Sequence, residues 1–359
     1  MSFSPADHIH MAHALQLAAR GLMTTTPNPR VGCVIVKDEG VVGEGWHHRA
    51  GTRHAEIHAL AAAGDAAKGA TAYVTLEPCS HHGRTPPCAE ALIEAGVTRV
   101  VAAMHDPNPL VAGGGIDMLT LAGIEAEVGL MAHEARALNA GFVSRMTRQR
   151  PWVRLKTAST LDGKTALANG QSQWITGEAA RADVQRLRGR ACAILTGSGT
   201  VLADNPRMTV RDFDIGRQPL RVIVDSTLRT PPDAAVLPAL IACHQPAPAM
   251  RRALEHAGAE VVELPDTNGR VDLSALLTLL AQRGINELHV EAGATLNGAL
   301  LAAGLVDEWV AYVAPMAVGD EARGLFTQSP LTSLADAARF RLADVRQLGG
   351  DLRLTLLPA

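Results

Sequence analysis

A chain of 359 residues is about twice the length of a common domain, so two domains of about 150 to 200 residues are expected. Its 47% hydrophobic, 19% charged and 3% aromatic residues suit a globular protein with a sizeable core, and exclude long disorder, collagen-like repeats and a disulfide scaffold. The net charge of -3 is spread evenly, with 12 Lys/Arg against 14 Asp/Glu in residues 1–150 and 21 against 22 beyond, so neither half offers the basic surface that sequence-independent nucleic-acid binding requires. No apolar run is long enough to span a membrane, and the first 17 residues carry Asp7 and three histidines where a secretory signal has a basic segment and an apolar stretch. A cytoplasmic protein with no nucleic-acid or membrane partner is expected. Five cysteines, an odd number, point to metal binding or packing rather than to disulfides.

In chain order, β-rich runs over 31–37 and 41–46 flank Asp38, Glu39 and Gly40 and predict a hairpin. A helix over 56–63, a strand over 72–76, a helix over 87–95 ended by Gly96 and a strand over 97–104 follow. Strands separated by helices predict a mostly parallel sheet covered by helices. From 141 to 151 the periodicity lapses, and Arg145, Arg148 and Arg150 lead into Pro151, which disfavours helix before it. The boundary is therefore placed between domains 1–148 and 149–359. The second half restarts the alternation, with strands over 152–157, 192–196, 220–225 and 287–291 and helices over 177–190 and 273–283 among its elements.

Eleven of the 14 histidines precede residue 151, together with Cys33, Cys79 and Cys88, so metal chemistry belongs to the first half. His54 and Glu56 open a helix, Cys79 follows a strand and Cys88 starts the next helix. One imidazole and two thiolates give zinc three ligands and leave a fourth tetrahedral position for water, as catalysis requires. Glu56, two residues and a rotation of about 200° along a helix from His54, is expected to handle protons rather than bind metal. The competing reading is a structural zinc site completed by His47, His48, His81 or His82. Cys33, in mid-strand, is expected to be core, and His8, His10, His13 and His58 ordinary helical residues.

The His-x-Glu and Pro-Cys pattern resembles the cytidine-deaminase superfamily, but eight residues rather than two separate the cysteines. With that spacing, the run from Cys79 through Ser80, His81, His82, Gly83, Arg84, Thr85, Pro86 and Pro87 to Cys88 resembles the deaminase half of the bifunctional riboflavin-biosynthesis deaminases and reductases. So do Pro27-Asn28-Pro29-Arg30-Val31-Gly32, Gly45-Trp46-His47 and His105-Asp106-Pro107-Asn108-Pro109. Gly114 stands where the family's lysine is expected, and Arg84 is the candidate substitute for a lost phosphate contact. Asn28 suits a pyrimidine edge or a turn, and His47, His81 and Arg84 suit polar or phosphate groups or plain solvation.

The second half has no Gly-x-Gly-x-x-Gly fingerprint of a conventional Rossmann dinucleotide site. Instead, Gly197-Ser198-Gly199-Thr200 and Glu291-Ala292-Gly293 each follow an apolar strand, where small residues let backbone N–H groups approach a diphosphate. These segments, with 156–164, 172–176, 203–211 and 224–226, resemble the dihydrofolate-reductase-like reductase half of the same family. The implied fold is α/β throughout: a cytidine-deaminase-like three-layer α/β/α domain followed by a dihydrofolate-reductase-like α/β domain. The resemblance implies NADPH bound by Ala158, Trp174, Thr200, Asp204, Ser226, Gly293, Ala294, Thr295, Leu296, Asn297, Gly298 and Ala299. It implies a sugar-phosphate substrate held by Ser172, Arg188, Met208, Arg211 and Glu291. Lys156 suits the sugar or a solubilising strand edge, Trp174 a ring stack or the core, and Asp162 a turn cap.

The expected function is zinc-dependent deamination of a diaminopyrimidinone ribosylamine phosphate by Glu56 with zinc on His54, Cys79 and Cys88, one ion per chain. NADPH-dependent reduction of the ribose follows. A homo-oligomer, dimer or higher, is expected. Competing hypotheses are a nucleic-acid-editing deaminase with a nucleotide-binding module, and a non-catalytic binding protein with structural zinc. Near-neutral charge and the long cysteine spacing speak against the first, and Glu56 beside an open position against the second.

Overall fold

Ser4 begins the first helix with a capping box: its Oγ accepts from the Asp7 N–H at 3.1 Å, and the Asp7 carboxylate accepts from the Ser4 N–H at 2.8 Å. In this computed structural model residues 3–82, 86–109 and 111–359 are described. They divide into two units, Met1–Gln149 and Arg150–Ala359.

The first unit runs α1 (Pro5–Ala19), β1 (Gly32–Lys37), β2 (Gly40–Trp46), α2 (Ala55–Ala63), β3 (Thr71–Val74), α3 (Cys88–Glu94), β4 (Arg99–Ala102), α4 (Gly114–Leu121), β5 (Glu125–Val128), α5 (Ala132–Leu138) and α6 (Ala140–Arg148). The sheet order is β2-β1-β3-β4-β5. It is mixed rather than mostly parallel, because β1 pairs antiparallel with both neighbours while β3, β4 and β5 are parallel. The hairpin turn is carried by Asp38 and Glu39 at φ 49° and 64°, and Gly40 already belongs to β2. Helices close tightly on both faces. A Cβ on Gly32 would meet the Ala14 carbonyl of α1 at 2.0 Å, and one on Gly45 the Ala55 carbonyl before α2 turns away at 2.6 Å. Gly32 and Cys33 point to opposite faces, and Cys33 pairs with Gly45, so α1 and α2 lie on opposite sides of the sheet. Cys33 is fully buried core.

The lapse of period expected from 141 is corrected, because Ala140–Arg148 is a helix. Phe142 and Ser144 are buried, Arg145 and Arg148 occupy the last turn where cations suit the helix dipole, and Gln149 ends it in the left-handed conformation. The helix is short, and two of its three buried residues, Gly141 and Ser144, carry no apolar signal in sequence.

The second unit runs β6 (Trp152–Thr160), β7 (Lys164–Ala166), α7 (Glu178–Arg190), β8 (Ala193–Gly197), α8 (Ser198–Asp204), β9 (Leu220–Val224), β10 (Leu240–Cys243), α9 (Pro248–His256), β11 (Glu260–Glu263), α10 (Leu273–Gln282), β12 (Glu287–Val290), α11 (Ala294–Ala302), β13 (Glu308–Ala314), β14 (Arg323–Gly324), β15 (Phe340–Leu348) and β16 (Asp351–Pro358). The main sheet is ordered β11-β10-β9-β8-β12-β6-β13-β16-β15 and is parallel up to β13, with β16 and β15 antiparallel at its end. β10 and β12 are buried at every residue, as strands covered on both faces must be. β12 inserts between β6 and β8. Chain direction across the sheet reverses there, and ligand crevices form outside the carboxyl ends of strands at such points.

Candidate metal centre and nucleotide cleft

In the first unit His54 is the N-cap of α2, Cys79 follows β3 and Cys88 is the first residue of α3. His54 Nδ1 lies 3.3 Å from Cys88 Sγ and 3.7 Å from Cys79 Sγ, and all three ligand atoms fall within 4.8 Å of one another. Zn–S bonds of about 2.3 Å and Zn–N bonds of about 2.0 Å give tetrahedral edges of about 3.5 to 3.8 Å, so this donor set fits zinc. Among the described residues no fourth His, Cys, Asp or Glu joins the cluster. The Cys88 N–H donates to Cys79 Sγ at 3.3 Å, which stabilises a thiolate at the start of α3. Contact with Cys88 and His54 outweighs burial and brings the Cys79 pKa down to about 4, while the hydrogen bond with Cys79 and burial hold Cys88 up. Contact with Cys79 raises His54.

Glu56 is 3% exposed, and burial followed by the Cys79 charge pushes its pKa up to about 7. The expected 200° separation from His54 does not apply. His54 sits outside the helix with extended dihedrals, φ -74° and ψ 166°, so Glu56 shares its pocket and receives a hydrogen bond from the Cys88 thiol. A buried acid with a pKa near neutrality can take up and release a proton.

His47 is buried beside this cluster, 5.4 Å edge-on from the His54 ring. Its Nδ1 lies 3.1 Å from the Arg53 carbonyl and its Nε2 3.1 Å from Asn28 Nδ2. Burial lowers its pKa, so the neutral ring donates to Arg53 and accepts from the Asn28 amide. That bond fixes the orientation of the Asn28 amide. His81 and His82 are exposed, His82 lying 3.4 Å from Glu90. Arg84 lies outside the described residues.

Sequence reasoning missed Glu77, which is buried, where an acid after a strand carries no distinctive signal. Its carboxylate accepts from the N–H groups of Asp106, Gly113 and Gly115 at 3.1, 3.1 and 2.9 Å and contacts His105 Nδ1 at 3.1 Å. Burial opposes its ionisation, but these donors outweigh it and lower its pKa. Glu77 thus ties the loop before α4 to the segment that carries Cys79.

In the second unit a cleft of about 1090 Å³ opens at the carboxyl ends of β6, β12, β8 and β9. It is lined by Ala158, Trp174, Thr200, Asp204, Ser226, Gly293, Ala294, Thr295, Leu296, Asn297 and Ala299, and by Lys156, Ser172, Arg188, Met208, Arg211 and Glu291. Gly298 is not on it: a Cβ there would meet the Thr327 carbonyl at 2.0 Å, so Gly298 packs away from the cleft. The two small-residue segments meet, a Cβ on Gly293 lying 3.8 Å from Thr200 Oγ1.

Three alternatives close here. Trp174 is not core, being 67% exposed with the Arg181 guanidinium 4.5 Å from its ring. Lys156 is not on a strand edge, since β6 lies between β12 and β13. Asp162 accepts from the Thr160 hydroxyl within its turn and from Val318 and Gly319 N–H at 3.0 and 2.9 Å, which ties the turn to the segment after β13. Arg188 lines the cleft and is also bonded by the protein around it. Its Nε and Nη2 bond both Glu291 oxygens at 2.5 and 2.8 Å and its Nη1 bonds the Thr209 carbonyl at 3.0 Å. These bonds use three of its five N–H donors, and Arg207 and Arg211 are exposed on the same cleft. Burial opposes ionisation of Glu291, yet Arg188 and His289 hold its pKa well below the usual carboxylate range.

A model of the cytidine and deoxycytidylate deaminase zinc-binding region matches residues 5–104, and a model of the RibD C-terminal domain matches residues 151–354. The chain is 50% identical to the riboflavin biosynthesis protein RibD of Escherichia coli, over 98% of this chain and 100% of that one. Among solved structures it is similar to Acinetobacter baumannii RibD, with TM-score 0.92, 48% identity and 99% of each chain covered. It also resembles the diaminohydroxyphosphoribosylaminopyrimidine deaminase/5-amino-6-(5-phosphoribosylamino)uracil reductase of Thermotoga maritima, with TM-score 0.87, 33% identity and 99% of each covered. Since both halves match in order and the relatives are covered end to end, the chain belongs to the RibD family, with a cytidine-deaminase-like domain followed by a dihydrofolate-reductase-like domain.

Proposed function

We propose that this protein catalyses two successive steps of riboflavin biosynthesis. It deaminates 2,5-diamino-6-(5-phosphoribosylamino)pyrimidin-4(3H)-one to 5-amino-6-(5-phosphoribosylamino)uracil and then reduces the ribose to give 5-amino-6-(5-phosphoribitylamino)uracil. The observation that carries the first step is the buried Glu56, poised near neutrality beside three metal-ligand atoms. The T. maritima relative's description supports the substrate, and E. coli RibD the pathway.

In the deaminase domain, 1–148 in this reading, His54, Cys79 and Cys88 would hold one zinc ion. A bound zinc supplies the electrostatic activation that makes water a nucleophile near pH 7. Glu56 takes a proton from that water, passes one to the ring nitrogen and assists the departing amine, so water is consumed and ammonia released. Asn28, held by His47, presents its carbonyl to the pyrimidine edge, and Arg84 meets the phosphate.

In the reductase domain, 149–359, NADPH lies along Ala158, Trp174, Thr200, Asp204, Ser226 and the 293–299 segment. It supplies the hydride when bound. Lys156, Ser172, Met208, Arg211 and Glu291 orient the sugar phosphate, with Arg188 holding Glu291. No helix of the described residues is long and apolar enough to cross a membrane, in keeping with a small-molecule enzyme of the cytoplasm. A homo-oligomer is supported by β15, a nine-residue edge strand exposing Leu342 and Val345, which another copy would cover.

Purified protein incubated with the diaminopyrimidine phosphate and followed by mass tests the reading. Amine-to-oxygen exchange is expected without NADPH, and a gain of two hydrogens only with it. Absence of the first change with metal-loaded protein overturns the deaminase assignment.

A further inference from the structure

Ser172 and Trp174 reach the cleft from residues 167–177, the connection between β7 and α7, which also lines it at Gln173, Ile175 and Thr176. Both ends of this connection are tied. At the first, β7 pairs with β14, and the Leu167 N–H donates to the Gln171 carbonyl at 2.9 Å. At the second, α7 starts from Gly177, which has no side chain to cap the helix. N–H groups at a helix start lack partners within the helix. Here the acceptor comes from another element: Asp351, the first residue of β16, accepts from the Gly177 N–H through Oδ2 at 2.6 Å.

Asp351 is buried, and the hairpin turn before it packs on the helix: a Cβ on Gly349, at φ 63°, would lie 3.5 Å from the Ala179 Cβ. β16 is paired with β13 on one side and β15 on the other, so the carboxylate stands on a fixed frame. Its charge strengthens the bond and suits the positive end of the helix dipole. The helix passes this order back to the loop. Arg181, early in α7, donates Nη1 to the Thr176 carbonyl at 2.7 Å and sets its guanidinium 4.5 Å from the exposed Trp174 ring. An arginine over an indole face is a cation–π contact, which favours one orientation of the ring. Asp183, two residues further on, bonds Tyr312 and Arg353 at 2.7 and 3.0 Å and ties the helix to the sheet.

We propose that Asp351 is a positioning residue of the reductase half: its bond to Gly177 sets the start of α7 and, through Arg181, the Trp174 ring against which the cofactor lies. This rests on the reading of the cleft as a nicotinamide dinucleotide site. The test is a double-variant cycle on the full chain, with NADPH affinity read by calorimetric titration and the order of residues 167–181 by hydrogen exchange. Asp351→Ala should weaken NADPH binding about tenfold, speed exchange within 167–181 more than elsewhere in the second unit, and leave deamination unchanged. Asp351→Asn keeps an acceptor oxygen but loses the charge, and should weaken binding about threefold. Trp174→Ala should also weaken binding, and Asp351→Ala in that background should add less than about twofold, because the two act through one contact. Losses that multiply would overturn the proposal, as would an Asp351→Ala protein that is less stable to heat but binds NADPH as wild type does. If Asp351→Ala does not fold, Asp351→Asn is read in its place, and wild-type exchange and affinity there would overturn the proposal. A wild type that binds no NADPH, or a Trp174→Ala protein that binds it normally, would instead overturn the cofactor reading, while faster exchange in Asp351→Ala would still show that Asp351 holds the loop.

Discussion

The two sites are held in different ways. In the first unit, three candidate ligand atoms lie within 4.8 Å of one another and the Glu56 carboxylate is buried against them. In the second, a cleft of about 1090 Å³ carries exposed Trp174, Arg207, Arg211 and Arg229, with one locked ion pair, Arg188–Glu291, at its base. The contrast follows the chemistry: proton transfer needs a dry, preset pocket, whereas a dinucleotide with its own reactive hydride needs mainly to be laid out and aligned.

The largest effect should come from the preset pocket. Glu56→Gln keeps the shape and loses the proton-carrying function, so deamination should fall by at least about 10²- to 10⁴-fold while metal analysis still finds one zinc per chain. The same variant should reduce the deaminated intermediate normally when supplied with it, and Arg211→Ala should deaminate normally while reducing poorly. Chelation should remove deamination alone. Loss of metal from Glu56→Gln would make Glu56 a ligand and erase the contrast.

The ion pair in the cleft is the next place to strike. The Arg188 and Glu291 side chains are 10% and 11% exposed, and removing one partner of a buried pair costs about 3 to 5 kcal/mol. Arg188→Ala should therefore lower the unfolding temperature of the second unit and cut kcat of reduction. Arg188→Met with Glu291→Leu should regain stability without activity. If Arg188→Ala only raises the KM for the sugar phosphate and leaves stability intact, Arg188 is a substrate contact and the pair is not locked.

A smaller effect belongs to the scaffold of the first unit. Asp7 caps α1, accepts from Tyr73 Oη at 2.7 Å and pairs with Arg99 at 2.7 Å. Burial opposes its ionisation, but Arg99, Tyr73 and Ser4 outweigh it, and its pKa lies below the ordinary 3.8. A depressed folded pKa contributes stability that is present above about pH 4 and lost as pH falls through the folded value. Asp7→Asn should cost about 1 to 3 kcal/mol at neutral pH and flatten the acid limb of unfolding curves. A variant whose acid limb matches wild type would show that Asp7 titrates alike folded and unfolded.

These contrasts also govern what was legible in sequence. His54, Cys79 and Cys88 were readable because metal chemistry restricts residue type and spacing together. The buried apolar strands were readable as well, β8 being buried at Ala193, Ile194 and Leu195. Arg154 was not, because its complete burial depends on Glu287 and Glu308, 133 and 154 residues away, at 3.1 and 3.0 Å. The engagement of Arg188 by Glu291 and of Asp351 by Gly177 was hidden for a related reason: a charged side chain looks the same in sequence whether it faces a ligand or the protein. Helix α6 was missed because it is only nine residues long and buries Gly141 and Ser144 beside Phe142, small or polar residues that do not mark a core face in sequence.

The smallest expected effect concerns Gly114, where the sequence resemblance leads one to expect a lysine. The three glycines there are not equivalent. Gly113 has φ 85°, and a Cβ on Gly115 would strike the Pro78 carbonyl at 1.9 Å, so neither accepts a side chain without strain. At Gly114 a Cβ would meet only Ser80, its Oγ at 2.7 Å, and that hydroxyl can rotate aside. Glu77 pins the N–H groups of Gly113 and Gly115, so a lysine at 114 would project beside Ser80, one residue after Cys79. Glycine replacement in the helix contributes up to about 1 kcal/mol, offset by about 0.3 to 1 kcal/mol for a cation in the first turn. Gly114→Lys should therefore leave the unfolding temperature nearly unchanged while lowering the deaminase KM. Arg84→Ala should raise that KM by about ten- to a hundredfold if Arg84 supplies the missing phosphate contact, and Gly114→Lys in that background should recover part of the loss. An unaltered KM in Arg84→Ala would remove the compensation, leaving Gly114 as the one glycine of the three whose side chain the fold could accept and the reaction does not need.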